Sequence, residues 1–261
     1  MMFGLFFLLI ISILKFSLSI NPFVETLVDY ADNLQGFLAY PVVQKQLPQR
    51  PAIILFHAFM GRTDFDDQKA RDLAKLGYVA FAADTYGKNR TNTTTEANFA
   101  MMSSLIANRT TVLRSRIEAA YNYVTSLDFV DSTRIGSIGF CYGGLCTLDL
   151  ARYEIGLKAA VSFHGTLTEY PDGDVSQNLS CAVQAHHGDA DTLIDDDQVS
   201  VFMDEMRNRS ADWQFIRFAG AQHGFTLRGI DEYNIPGAKY NEKAANRSWS
   251  YMQVFFAEKF L

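Results

Sequence analysis

Residues 134–152 read RIGSIGFCYGGLCTLDLAR, and this stretch carries the strongest structural signal in the chain. Residues 134–140 are typical of a strand, and residues 143–152 have the spacing of a helix. One glycine stands two residues before Cys141, and a pair of glycines begins two residues after it. A strand, a tight glycine-flanked turn and a helix, in that order, predict an α/β unit with Cys141 at the turn.

Short apolar runs alternate with longer amphipathic stretches on both sides of this unit. AIILF at 52–56 is a continuous apolar run, as expected for a strand that is buried on both faces. We predict strands at 36–40, 52–56, 78–83, 134–140, 158–163, 181–185 and 213–218. The predicted helices lie at 66–76, at 96–127 as one or two pieces, and at 143–152, 195–209 and 242–259. This alternation predicts an α/β fold with a mostly parallel central sheet and helices on both faces.

The bulk composition is that of an ordinary globular protein, with 48% hydrophobic and 20% charged residues among 261. The formal net charge of −6 and the lack of any Lys/Arg run argue against a nucleic-acid partner. The length suits a single domain, which we predict over residues 20–261.

The first 19 residues differ from the rest of the chain. Residues 3–14 form an almost unbroken apolar run, which Lys15 and then Ser17-Leu18-Ser19 follow. This is the pattern of the apolar region and cleavage site of a secretory signal peptide. A membrane anchor is the alternative, but the run is shorter than the ~20 residues that a spanning helix needs. We therefore predict a signal peptide over residues 1–19 and no stable membrane anchor.

Asn-x-Ser/Thr sequons are more frequent than the about one or two expected by chance. The candidate glycosylation sites are Asn89, Asn92, Asn108, Asn178, Asn208 and Asn246. Because such sites are modified along the secretory route, their excess supports a secreted, extracellular protein. A lysosomal or ER-lumenal destination stays open.

The chain has three cysteines, and an odd number leaves at least one thiol unpaired within a monomer. We predict that Cys146 and Cys181 are buried and inert, with a disulfide between them as the alternative. Cys141, at the turn, is a thiol that needs either burial or a role in an oxidising compartment.

Chemically reactive side chains follow three of the predicted strands, at the sheet edge where ligands bind in such folds. Cys141 follows one strand, Asp189 and Asp191 follow a later one, and His223 follows the last. The order nucleophile, acid, base is that of α/β-hydrolases. A thiol nucleophile needs a base within reach, and the base needs a carboxylate that orients it. The alternatives are a structural cysteine beside a glycine-rich turn and a loop histidine without a task.

The sequence resembles the dienelactone hydrolase (carboxymethylenebutenolidase-like) family from about Tyr30 to the C-terminus. The segments that carry the resemblance are FHAFMGRTDF from 56, LGYVAFAADTYGK from 76, IGFCYGG from 138, HGDADTLI from 187 and GAQHGF from 220. The resemblance implies an α/β-hydrolase fold and a Cys141–His223–Asp191 triad, since the family's acid stands three residues after the glycine of HGDAD. Asp189 is the alternative acid.

The oxyanion of the reaction is expected to be held by backbone N–H groups. One belongs to Tyr142, directly after the nucleophile, and the other to Ala58 or Phe59. The resemblance places a glutamate that restrains the resting nucleophile at the position of Ala58. Ala58 cannot act in this way, which leaves open a Cys141–His223 pair that is charged at rest.

The residues predicted to contact substrate are Lys88, Tyr86 and Arg228. The family holds a substrate carboxylate with two arginines, and Lys88 occupies the position of one of them. Leu227 occupies the other, with Arg228 next to it. A lysine holds a carboxylate only as a point charge, so the family's acidic substrate does not carry over. Tyr86 is expected to line the pocket or to serve in packing.

These patterns predict a hydrolase that cleaves a carboxylic ester or lactone through a thioester intermediate, as a monomer or small homo-oligomer. The sequence has no His-x-x-x-His or Cys-x-x-Cys spacing and no nucleotide-binding glycine motif, so we expect neither a metal nor a cofactor. Two other functions stay open, a non-catalytic hydrolase-fold binding protein and a thiol-dependent acyltransferase.

Overall fold

The computed structural model describes residues 23–42, 48–88, 90, 94–171 and 177–261. The predicted signal peptide at 1–19 and the sequons at Asn89 and Asn92 lie outside these residues. The strands are β1 Phe23–Ala31, β2 Leu34–Pro41, β3 Arg50–Phe56, β4 Val79–Ala83, β5 Val130–Phe140, β6 Ala159–Phe163, β7 Ala182–Gly188 and β8 Trp213–Phe218. The α-helices are α1 Asp64–Lys75, α2 Thr95–Ala107, α3 Arg114–Thr125, α4 Tyr142–Arg152, α5 Asp196–Asn208 and α6 Glu242–Lys259.

The eight strands form one sheet in the order β1-β2-β4-β3-β5-β6-β7-β8. Strands β3 to β8 run parallel, while β2 is antiparallel to both β1 and β4. Helices α1 and α6 cover one face of the sheet, and α2 to α5 cover the other. Because both faces are covered, β4 and β6 are buried along their whole length. The predicted α/β-hydrolase architecture is confirmed.

The prediction of 36–40 as the first strand was wrong, because β1 precedes it. β1 reads FVETLVDYA, in which apolar and polar residues come in pairs and do not alternate, and none of its nine residues is fully buried. An edge strand of this kind buries little apolar surface, so it lacks the period-2 pattern that marks a strand in a sequence. It pairs with β2 through a tight turn at Asn33, whose φ of 59° lies in the left-handed region that asparagine tolerates.

The predicted helix at 96–127 consists of two helices that a π-helical turn at Arg109–Leu113 separates. The guanidinium of Arg109, in this turn, forms a bidentate ion pair with Asp149 of α4, and both N–O distances are 2.6 Å. Both side chains are buried, so the ion pair joins the turn to the helix that follows Cys141.

The strand register brings the reactive segments to one edge of the sheet. Phe56 at the end of β3 pairs with Gly139 of β5, and Phe140 pairs with Phe163 of β6. Since the parallel strands end together, the loops that follow them converge at the carboxyl edge of the sheet. Among the described residues, no helix is both long and apolar enough to cross a membrane.

Candidate active site

Cys141 lies at a sharp turn between β5 and α4. Its φ of 54° and ψ of −116° are a strained conformation for a residue with a side chain. A Cβ atom on Gly139 would lie 1.8 Å from the carbonyl oxygen of Gly143, and one on Gly143 would lie 2.1 Å from that of Phe56. Only glycine fits at either position, which explains the first two of the three glycines of the GFCYGG segment. The turn presents the sulfur at the N-terminus of α4, where the helix dipole favours a thiolate.

Three side chains from distant parts of the chain form a connected row beside this turn. His223 Nε2 lies 3.1 Å from Cys141 Sγ, and His223 Nδ1 lies 2.9 Å from Asp191 Oδ2. The other carboxylate oxygen, Oδ1, accepts the backbone N–H groups of Leu193 at 2.9 Å and Ile194 at 3.1 Å. Asp191 is therefore held in one orientation, with Oδ2 directed at the imidazole.

The alternative acid, Asp189, is not part of this row. Its side chain is 52% exposed, and its carboxylate lies 3.9 Å from the guanidinium of Arg217. Of the two carboxylates that the sequence left open, the structure brings Asp191 to His223.

The electrostatics of the row favour a thiolate–imidazolium pair. Burial raises the pKa of Cys141, but the His223 charge and hydrogen bond and the backbone N–H groups of Tyr142 and Phe59 outweigh it and lower that pKa. Burial lowers the pKa of His223, but the Cys141 charge and the hydrogen bond to Asp191 outweigh it and raise the pKa to about 10. The pair charged at rest, which the sequence left open, is the state that this geometry favours.

The backbone donors that contact the sulfur are the N–H groups of Tyr142 and Phe59. Of the two candidate donors, Ala58 and Phe59, Phe59 is the one whose N–H contacts the nucleophile. The carbonyl of Ala58 accepts the N–H of Gly61 at 3.2 Å, which closes the turn that follows β3. Two N–H groups that converge on a buried sulfur form a cradle suited to an oxyanion on the carbon that the sulfur attacks.

A buried polar network that sequence reasoning missed supports this cradle. His57 Nε2 accepts the backbone N–H of Thr85 at 3.1 Å, so Nδ1 carries the proton of the neutral ring and donates to the Ala58 carbonyl at 2.7 Å. The Tyr86 hydroxyl donates to the Phe59 carbonyl at 3.0 Å. These bonds fix the peptide units on both sides of Phe59, and so they fix the direction of its N–H. Only the position of His57 at the end of a predicted strand hinted at such a role.

The predicted substrate-binding residues make different contacts in the structure. The Lys88 ammonium forms an ion pair with Asp29 of β1. The Arg228 side chain is 75% exposed and lies 3.9 Å from Glu242. Tyr86 contacts the cradle through the hydrogen bond described above, and it lines one pocket together with Lys88. A role of these residues in substrate binding stays a prediction.

The remaining two cysteines, Cys146 and Cys181, are buried and free. The alternative prediction of a disulfide between them is therefore wrong. Burial raises the pKa of each thiol, which is consistent with the prediction that they are inert. Within the described part of the chain, no three His, Cys, Asp or Glu side chains cluster closely enough to hold a metal ion.

Comparison with known proteins places this architecture in a family. The sequence profile of the dienelactone hydrolase family matches residues 34–260. A crystal structure of a dienelactone hydrolase-like promiscuous phosphotriesterase from metagenomic libraries is 32% identical, with a TM-score of 0.85, and the match covers 92% of this chain and 100% of the other.

Two curated sequences are also similar to this chain. A Bradyrhizobium protein named "Probable 2-oxo-3-(5-oxofuran-2-ylidene)propanoate lactonase" is 29% identical over 87% of this chain and 92% of its own. An uncharacterised Caenorhabditis elegans protein is 39% identical over 157 residues, which are 60% of this chain and 99% of its own.

Proposed function

Because this chain belongs to the dienelactone hydrolase family, we propose that it hydrolyses carboxylic esters or lactones through Cys141, His223 and Asp191, with a thioester intermediate. The family and its lactonase relative indicate an enzyme that acts on small ester or lactone molecules. The observation that carries the mechanism is the 3.1 Å approach of His223 Nε2 to Cys141 Sγ, with Asp191 behind the imidazole.

In the proposed reaction, the Cys141 thiolate attacks the carbonyl carbon of the ester. The carbonyl oxygen becomes an oxyanion that the N–H groups of Phe59 and Tyr142 stabilise. As the C–O bond to the leaving group breaks, the His223 imidazolium gives its Nε2 proton to the departing alkoxide, and the acyl group stays on sulfur as a thioester. Neutral His223 then takes a proton from water, which attacks the thioester. The C–S bond breaks, and the carboxylic acid and the resting thiolate–imidazolium pair are formed.

Hydrolysis of p-nitrophenyl acetate and of a neutral aryl lactone tests this function directly. Turnover by the wild type that depends on Cys141 supports it. No turnover of either substrate, with a thiol that still reacts with alkylating agents, would favour the hydrolase-fold binding protein. Formation of acyl products on added alcohols or thiols at the expense of hydrolysis would favour the acyltransferase.

The charged pair predicts an unusual pH profile for alkylation of Cys141 by iodoacetamide. Because its pKa is lowered, a larger fraction of Cys141 is thiolate at neutral pH than in an ordinary cysteine, and we expect a smaller rise in rate between about pH 7 and pH 9 than a free cysteine thiol shows. In His223→Ala, the charge and the hydrogen bond that His223 contributes are lost, so the pKa rises and the rate at about pH 7 falls roughly tenfold. Mass spectrometry of the Cys141 peptide measures both rates. A wild-type rate that climbs like that of an ordinary thiol, with a midpoint near about 8.5, would refute the charged pair.

We further propose that the chain enters the secretory pathway, is cleaved after its signal peptide and carries N-linked glycans. The four sequon asparagines within the described residues, Asn108, Asn178, Asn208 and Asn246, are all exposed, which supports access by the glycosylation machinery.

Expression of the full chain in cultured animal cells is expected to release protein into the medium with a mass that peptide-N-glycosidase F reduces. Replacement of all six sequon asparagines by glutamine should abolish the mass change, because no acceptor remains. Retention of an unglycosylated chain inside the cells would contradict the proposal.

A further inference from the structure

A cavity of 630 Å³ lies between α1 and α6, on the face of the sheet that these helices cover. Phe140 and Phe163, from the ends of β5 and β6, form its floor, and Phe65, Tyr240 and Trp249 form its walls. Cys141 and His223 are not among the residues that line it. The cavity is therefore a separate feature from the proposed reaction site.

A half-buried lysine projects into this aromatic cavity. The Lys69 ammonium lies 4.2 Å from the ring centroid of Trp249 and 5.5 Å from that of Phe65. No carboxylate among the described residues lies within 4.0 Å of it. Asp72, which stands three residues further along α1 and also lines the cavity, forms an ion pair with Lys75 at 3.0 Å.

The cation–π contacts only partly replace the water that Lys69 loses. Such contacts favour a cation over an aromatic ring, but they supply no hydrogen-bond acceptor for the three N–H groups of an ammonium. Burial lowers the pKa of Lys69, the Asp72 carboxylate acts in the opposite direction, and the charge of Arg228 at the rim lowers the pKa again. The cavity lining therefore carries two cations, Lys69 and Arg228, and one carboxylate, Asp72, which is already paired with Lys75.

We propose that this cavity binds a small monocarboxylate with an aromatic or short aliphatic body, its carboxylate on Lys69 and its body against Trp249. Aromatic walls bury the apolar part of such a ligand, and one charged group fixes its orientation, as is usual for small-molecule sites. A carboxylate supplies the acceptor oxygens that the ammonium lacks. The site does not depend on the proposed hydrolysis, because none of the residues of the triad forms it.

Trp249 is itself the reporter for a test, since the chain has only two tryptophans. In a Trp213→Phe protein, all tryptophan emission comes from Trp249. Titration with 3-phenylpropionate is expected to change this emission saturably, with one ligand per chain by calorimetry. The uncharged analogue 3-phenylpropanol keeps the apolar body and is expected to bind roughly tenfold more weakly, because it cannot pair with the ammonium.

Lys69→Gln in the same background is expected to weaken 3-phenylpropionate roughly tenfold and to leave 3-phenylpropanol unchanged. Lys69→Arg should retain the acid, and Lys243→Gln, which changes an exposed lysine of α6 that does not line the cavity, is the matched control that should bind like the parent. Equal affinity for acid and alcohol, unchanged acid binding in Lys69→Gln, or no saturable heat or emission change would each overturn the proposal. Thermal unfolding of each variant verifies that it is folded.

Discussion

Cys141→Ala is expected to lower kcat/KM for p-nitrophenyl acetate by at least about 10⁴-fold. The variant removes the only protein atom that the proposed reaction joins to the acyl group. His223 would still be held by Asp191, and the Phe59 and Tyr142 N–H groups would still be in place, so the residual rate measures what they achieve with water alone. Alanine adopts the backbone of Cys141 no less easily than cysteine does, so the variant should fold.

The matched control is Cys181→Ala, which removes a buried thiol at the start of β7 with no contact to the triad in the structure. It is expected to keep kcat/KM within about twofold of the wild type, as for a substitution away from the reacting groups. Substantial esterase activity in Cys141→Ala would show that another group attacks the ester.

Asp191→Asn is expected to lower kcat/KM by about 10³-fold with little change in fold. The backbone N–H groups of Leu193 and Ile194 both donate to Asp191 Oδ1, so an asparagine would place its oxygen there. Its NH₂ group would then face His223 Nδ1. The imidazole would have to accept at Nδ1 and carry its proton on Nε2, which prevents Nε2 from taking the proton of the Cys141 thiol.

Asp189→Asn makes the same chemical change two residues away, on a side chain that is half exposed. We expect its kcat/KM to stay within about twofold of the wild type. A larger loss in Asp189→Asn than in Asp191→Asn would reverse the assignment of the acid. Measuring the pH dependence of alkylation in Asp191→Asn adds a readout that a change in folding alone would not move.

The residues of the site could be predicted because each follows a strand that the sequence indicated. Cys141 and Asp191 follow the largely buried strands β5 and β7, His223 follows the edge strand β8, and these parallel strands end at one edge of the sheet. The choice between Asp189 and Asp191 was different. Both stand in the same short loop, so spacing alone could not separate them, and only the resemblance favoured the one that contacts the imidazole.

Other features depend on contacts between segments that lie far apart in sequence. The ion pair of Lys88 could not be foreseen, because its partner Asp29 lies on β1, and the sequence of β1 gave no regular strand pattern. Lys69 and Trp249 stand on α1 and α6, far apart in the chain, and no local pattern relates them. The hydrogen bonds of His57 likewise depend on how a neighbouring strand ends.

The central claim is that an acyl group is carried on Cys141 during turnover. Rapid acid quenching of the wild type with p-nitrophenyl acetate, followed by mass spectrometry, tests it most directly, because an activated ester forms the thioester faster than water cleaves it. We predict one acetyl group per chain, located on the Cys141 peptide and released by hydroxylamine. Release of p-nitrophenol by the enzyme with the Cys141 peptide unmodified at every quench time, or with the acetyl group on another residue, would contradict the account.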